Sequence, residues 1–279
     1  MVKYGASMVT FLFWNLNRQP IPHLVAQLAH QHAVDILMLA ECVFAPAELL
    51  QRLNATFINY HYASADSFCE RIKIFTRFSP KFIRKKEEDN YTTIRHLELP
   101  EKPDILLAVS HLRSKLHATE HDQLRNCERL AGQIRYVEKQ IGHQKTVLVG
   151  DFNANPFETA MISARSLHTV MTRQIAQKGA RKILGQEYSF FYNPMWGVWG
   201  DNNLEQHPPG TYYWTKNLDV EFFWHMFDQV LIRPALLNYF DNRNLQILRT
   251  AGEVSLVTKN GLPDKSKSDH LPLLFKLNF

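Results

Sequence analysis

The chain has 279 residues, 45% hydrophobic and 21% charged, which suits a globular protein with a large buried core. No apolar run approaches the roughly 18 residues a membrane span needs, and a net charge of +5 leans towards an anionic partner such as DNA or RNA. Three scattered cysteines (Cys42, Cys69, Cys127) form no CxxC pair, so neither a zinc knuckle nor a disulfide framework is indicated; with no signal-peptide pattern in Met1 to Thr10, a cytoplasmic protein is expected.

Taken in chain order, apolar runs predict buried strands at Val9 to Trp14, Val34 to Leu39, Ile72 to Phe75, Ile105 to Ser110, Val147 to Val149, Phe227 to Ile232 and Leu271 to Leu277. Tyr91 to Leu99 alternates, with Thr93, Arg95 and Leu97 on one face. Ile21 to His32 reads as a helix, with Leu24, Val25 and Leu28 at helical spacing and Pro20 and Pro22 at its start. His117 to Ile141 reads as a long amphipathic helix whose stripe is Leu124, Leu130, Ile134 and Val137. Tyr188 to Trp224 holds four of the five tryptophans and several prolines and glycines, and is expected to be a long ordered loop, an insertion over about 186–225. Strands and helices mix throughout, which predicts an α/β sandwich of two packed mixed sheets with helices outside, built as one domain over 1–279.

Polar residues cluster at the ends of these strands. Val147-Leu148-Val149 runs into Gly150-Asp151-Phe152-Asn153, and on an extended backbone Asp151 and Asn153 share a face. Trp14-Asn15-Leu16-Asn17 follows the first strand, Glu41 the second, and Glu70-Arg71 opens the next. His111 ends a strand, Asp228 begins one, and Ser268-Asp269-His270 precedes the last. Singly, each is most simply a turn, a cap or a satisfied edge residue. Together they are harder to dismiss, because the strand ends of a sandwich converge on one rim.

In this order the motifs resemble the endonuclease/exonuclease/phosphatase superfamily: Trp-Asn-x-Asn, a strand ending in Glu, a strand ending in His, Gly-Asp-Phe-Asn, an Asp before an apolar strand, then Ser-Asp-His-x-Pro. The resemblance spans roughly Phe11 to Phe275. Glu70-Arg71 with His111 downstream looks most like the deoxyribonuclease I branch. It implies a four-layer sandwich and metal-assisted hydrolysis of a phosphoric ester, with Mg²⁺ as cofactor and Mn²⁺ as a substitute.

The resemblance also assigns roles. Glu41, with Asn15 and Asp269, would hold the metal through hard oxygen atoms; none of these is a His/Cys cluster, which argues against zinc. His270 would be the catalytic imidazole and Asp228 its partner. Asp151 would orient or deprotonate water, and Asn153 would donate to a phosphate oxygen. His111 would be a second phosphate-facing imidazole paired with Glu70. Arg113, Lys115 and Asn17 are substrate-binding candidates, Arg113 and Lys115 as a two-cation clamp or a solvated basic loop. Lys259, Lys265 and Lys267 make the approach to Ser268 cationic. The aromatic run Trp196, Trp199, Tyr212, Tyr213 and Trp214 could stack bases, although packing is the simpler expectation.

A Mg²⁺-dependent nuclease, most simply an endonuclease, is the leading expectation. The alternatives are a phosphodiesterase or phosphatase of a lipid head group, nucleotide or protein adduct, and a non-catalytic binding module on the same scaffold.

Overall fold

Two long parallel strand pairs, each closed by a helix, frame the molecule. The structure, a computed structural model, describes residues 8–55, 58–115, 119–200, 208–216 and 219–279. In the first unit Met8–Asn15 runs parallel to Ile36–Ala40, in register from Phe11 opposite Ile36 to Asn15 opposite Ala40. Helix Pro22–Gln31 makes the crossover, opening on Pro22, whose fixed φ suits a first helical position. In the second unit Ile105–His111 runs parallel to Thr146–Asp151, and the register ends with His111 opposite Asp151. Its crossover is Glu120–Ile141, started by a reciprocal Thr119–Asp122 capping box and stopped at Gly142, whose φ of +84° is left-handed.

The first unit grows into a six-stranded mixed sheet in the order Gln246–Ile247, Leu273–Asn278, Met8–Asn15, Ile36–Ala40, Ile72–Thr76, His61–Tyr62. The second grows into a seven-stranded mixed sheet in the order Ile83–Glu88, Thr92–Leu97, Ile105–His111, Thr146–Asp151, Asp228–Ile232, Phe191–Tyr192, Thr169–Val170. The period of two decides which way each side chain points. Leu107, Val109, Val147, Val149, Val230 and Ile232 join the core shared with the first sheet. Their neighbours Leu106, Ala108, Leu148 and Leu231 join the core under the long helix, with Leu130, Ile134 and Val137. Strands buried on both faces read as unbroken apolar runs, which is why the sequence exposes them. Each large side chain withdrawn from water in this way contributes about 1.5–3 kcal/mol. The expected architecture of two mixed sheets with helices is the one observed.

Some local expectations need correction. The long helix begins at Glu120, and its expected start at His117 lies outside the described residues. Leu124 is only half-buried; Gln123 occupies the buried position instead, its Nε2 donating to the Asn153 carbonyl at 2.7 Å. Helix Pro46–Leu53 was not anticipated, although Pro46 and Glu48 in its first turn are the usual start signals. The aromatic stretch is not one loop. Gln186–Ser189 pairs with Ala180–Ile183, Phe191–Tyr192 joins the seven-stranded sheet, and Tyr212–Tyr213 pairs with Trp224–His225; 201–207 and 217–218 lie outside the described residues. No helix among the described residues is long and apolar enough to cross a membrane.

Candidate active site

Both parallel units deliver their carboxyl ends to one rim, where open α/β sheets usually bind ligands. The two sheets meet there through a side-chain bond: Asn15 Nδ2 donates to Asp151 Oδ2 at 3.0 Å, with both residues almost fully buried. Asp151 Oδ1 accepts the backbone N–H of Asn153 at 2.9 Å. The carboxylate is thereby locked, and its Oδ2 lies 3.7 Å from His111 Nε2 and 3.9 Å from His270 Nε2. Gly150 permits this approach, because a Cβ there would sit 1.9 Å from the Ser110 carbonyl oxygen on the neighbouring strand.

The shared face expected for Asp151 and Asn153 is not what forms. The strand ends at Asp151, and Asn153 has a left-handed φ of +49°. The turn directs the Asn153 amide onto the Leu112 carbonyl at 3.2 Å and its backbone N–H back onto Asp151. Asn153 therefore braces the Asp151 turn in this structure.

His270 and Asp228 come from distant parts of the chain and form a buried pair, Nδ1 to Oδ2 at 2.7 Å. Asp228 lies opposite Asp151 in the sheet register, which aligns it behind the imidazole. Burial opposes charge on His270, but Asp228, Asp151 and Asp269 outweigh it and raise the imidazole to about 10. The same burial pushes the Asp228 and Asp269 acids up, with His270 opposing in both cases. His111 moves the other way, lowered chiefly by burial against the pull of Asp151 and Glu41.

Glu41 follows its strand with a left-handed φ of +49°, and its Oε1 lies 3.5 Å from His111 Nε2. Four acids (Glu41, Asp151, Asp228, Asp269) thus surround two imidazoles, an excess of negative charge in a largely buried rim. Asp269 Oδ1 is buried without a hydrogen-bond partner among the described residues. An orphaned carboxylate oxygen on an acid that feels the Glu41 charge, together with the Glu41 carboxylate, is an oxygen set that suits a hard divalent cation. The fold is one that generally depends on a divalent metal.

Other expected residues are distributed differently. Glu70 is exposed and is not brought to His111, whose Nδ1 is buried without a partner among the described residues. Arg113 and Lys115 do not act as a pair. Arg113 Nε donates to the Tyr91 hydroxyl at 2.7 Å, whereas Lys115 is neutralised by Glu158. Asn17 is half-buried, and its backbone N–H holds Asn15 Oδ1 at 3.0 Å. Of the cationic approach, Lys267 pairs with Asp264 and Lys265 lies over Trp214.

Sequence reasoning passed over several supports. Ser268 Oγ donates to the Asn15 carbonyl at 2.7 Å and accepts the His270 N–H at 3.0 Å. Trp14 Nε1 donates to the His270 carbonyl at 2.9 Å, and the Tyr212 ring lies 4.7 Å from the His270 ring. Ser268 and Trp14 stand inside the family's motifs and Tyr212 in the aromatic run, but spacing alone gives none of these contacts.

The model of the Endonuclease/Exonuclease/phosphatase family matches residues 12–270. Truncated TDP2 of Caenorhabditis elegans superposes with a TM-score of 0.55 at 16% identity, over 98% of this chain and 98% of that one. The endonuclease domain of TRAS1, a telomere-specific non-LTR retrotransposon, gives a TM-score of 0.54 at 12% identity, over 98% and 99%. The catalytic domain of human Nocturnin, solved with a bound sulfate anion, gives 0.56 at 16%, over 98% and 94%. No curated protein matches the chain in sequence. At these identities the structural neighbours speak for the deoxyribonuclease I-like fold. With the family model spanning nearly the whole chain and the family's motifs gathered on one rim, the chain belongs to the Endonuclease/Exonuclease/phosphatase family, whose members hydrolyse phosphoric esters.

Proposed function

We propose that the protein is a Mg²⁺-dependent phosphodiester hydrolase acting on nucleic acid as an endonuclease. The observation that carries this reading is the buried cluster of Asp151, Asp228 and His270, whose ligand atoms lie within 4.8 Å of one another, beside the orphaned Asp269 oxygen. Glu41, Asp269 and Asn15 are the residues that would hold the cation. When bound there, it would offset the charge that builds on the phosphoryl oxygens and make water easier to deprotonate.

The chain's own groups do the rest. Asp151, locked by Asn15 and the Asn153 N–H, presents Oδ2 between the two imidazoles and orients the attacking water. His270, held protonated by the acids around it, donates from Nε2 to a phosphoryl oxygen, while Asp228 fixes its Nδ1. His111, whose burial favours the neutral ring, is the proton acceptor on the other side. The net charge of +5 and the deoxyribonucleic acid context of a neighbour, Danio rerio TDP2 complexed with single-strand DNA product (TM-score 0.51, 16% identity), support nucleic acid as the substrate class.

The test is incubation with Mg²⁺ or Mn²⁺ and plasmid DNA, single-stranded DNA, RNA or bis-nitrophenyl phosphate, beside a Glu41→Ala control. Cleavage of a nucleic acid that the control loses is the expected result. Turnover of small esters alone would replace nucleic acid with a non-nucleic substrate, and silence throughout would sink the hydrolase reading.

A further inference from the structure

Beside His111, and outside the catalytic cluster, three guanidinium groups converge on one tyrosine ring. Arg71 lies with its guanidinium carbon 4.8 Å from the Tyr91 centroid, Arg129 at 5.6 Å and Arg113 at 5.8 Å. Arg113 Nε also donates to the Tyr91 hydroxyl at 2.7 Å. These residues come from three separate segments: the start of strand Ile72–Thr76, the end of Ile105–His111 and the exposed side of helix Glu120–Ile141. Tyr91 itself is tied to the catalytic strand, because its carbonyl accepts the His111 N–H at 2.8 Å. Arg71 is tied to the metal-site strand, since Ile72 pairs with Ala40, the residue before Glu41.

Like charges gathered on one ring repel, and the ring's face offsets only part of that. Among the described residues, the one ion pair of the cluster joins Arg129 to Asp89 at 3.3 Å. That acid is shared, accepting the backbone N–H groups of Tyr91 and Thr92 at 2.8 and 2.9 Å and Gln133 Nε2 at 3.3 Å. Arg71 and Arg113 are exposed and have no ion pair among the described residues; Glu70, next to Arg71, is exposed as well. With its oxygen accepting from Arg113, the Tyr91 hydroxyl keeps a proton to donate. Planar guanidinium forks together with a phenol O–H match the oxygen atoms of a phosphodiester. Lys115, which starts from the same loop as Arg113, is taken up by Glu158 and belongs elsewhere.

We infer that Arg71, Arg113, Arg129 and Tyr91 form a phosphate subsite for the backbone of a nucleic-acid strand, flanking the scissile position on its His111 side. The inference rests on the proposed function only for the position of the scissile bond. Such a subsite makes the ligand a polyanion: a small ester would fill the catalytic rim and leave the arginines empty.

The experiment measures fluorescence anisotropy of a fluorescein-labelled DNA oligonucleotide, and of its RNA counterpart, in EDTA so that no turnover occurs. The double variant R71Q/R129Q should raise Kd about tenfold on the bound polymer and flatten the slope of log Kd against log salt by about 1.5, since each lost phosphate contact removes about 0.7–0.9. K178Q/K182Q, which removes the same charge at and beyond helix Arg173–Ala176, should stay within about twofold of the parent. All substitutions are at exposed side chains, and melting curves verify folding. Equal weakening in both variants, no weakening in R71Q/R129Q, or a parent protein that binds neither polymer would each overturn the subsite. A protein that binds but cleaves nothing would leave it standing while removing the hydrolase reading. One that hydrolyses bis-nitrophenyl phosphate without binding either polymer would do the reverse.

Discussion

The same two strands carry a histidine–aspartate cluster at each end, and the two clusters behave oppositely. At the amino ends of Ile105–His111 and Thr146–Asp151, Asp104 accepts from His143 Nε2 at 2.8 Å, His96 Nε2 at 3.0 Å and Lys145. His143 Nδ1 takes the Lys145 backbone N–H at 3.1 Å, so its ring proton sits on Nε2 and points at the acid. Burial works to raise Asp104, but the Lys145, His96 and His143 donors overcome it and hold the carboxyl well below the usual range. At the carboxyl ends, four acids face two imidazoles, and Asp228, Asp269, His111 and His270 are all displaced in directions set by burial and crowding. The Asp104 side chain is 36% exposed and Asp151 only 2%. Residue types alone do not distinguish the two clusters. The balance of donors and acceptors, weighed with burial, does.

That contrast can be broken from either side. The largest effect is expected for Glu41→Gln, which removes a charge facing His111 and the Asp269 oxygen. Phosphodiesterase turnover should fall by about 10³-fold with the unfolding midpoint unmoved; retained turnover in a steady-state assay would remove Glu41 from the site. Asp228→Asn should cost about 10²-fold in kcat, the lower end of what a positioned proton-transfer partner contributes. Because burial already disfavours charge on His270 and Asp228 heads the acids that offset it, His270 in this variant should lose its proton below pH 10. An NMR titration of its imidazole would check this.

Gly150→Ala tests the geometry that brings Asp151 beside His111. The added methyl would collide with the Ser110 backbone oxygen, which cannot rotate away, so urea denaturation should show a loss of about 1–3 kcal/mol or more. The smallest effect is expected at the opposite end. Asp104→Asn should leave turnover unchanged and cost less than about 1 kcal/mol, because the acid is more than a third exposed and screened. The sign with pH follows from the lowered carboxyl. Its stabilisation is present above its ordinary pKa of 3.8 and disappears as pH falls below that value towards the folded one. Parent and variant melting curves should therefore differ at neutral pH and converge in acid; a gap that widens in acid would refute the account.

Much of this was legible in the chain. Runs such as Val147 to Val149 are apolar on both faces because both faces are covered, and a strand of that kind announces its end when the first polar residue appears. Asn15, Glu41, His111 and Asp151 announce themselves that way, Asp228 opens and His270 precedes strands that run antiparallel to their neighbours, and all six reach one rim. The failures share a cause as well. Asn153 was placed by strand periodicity, but the strand stops at Asp151 and a left-handed turn redirects the amide. Glu70 was paired with His111 by motif, yet the chain before Ile72 leaves it in solvent. Arg113 and Lys115, two residues apart, looked like one clamp until Tyr91 and Glu158 claimed one each.

By itself, then, the amino-acid order determined the mixed α/β architecture and which residues end its strands, because periodicity and turn residues act over a few neighbours. Only the tertiary structure decided partners. The Asp228–His270 pair spans 42 residues, the Asn15–Asp151 bond 136, and the Trp14–His270 bond 256. Each depends on how two sheets stack and on which donors burial leaves unmatched, and no local pattern encodes either.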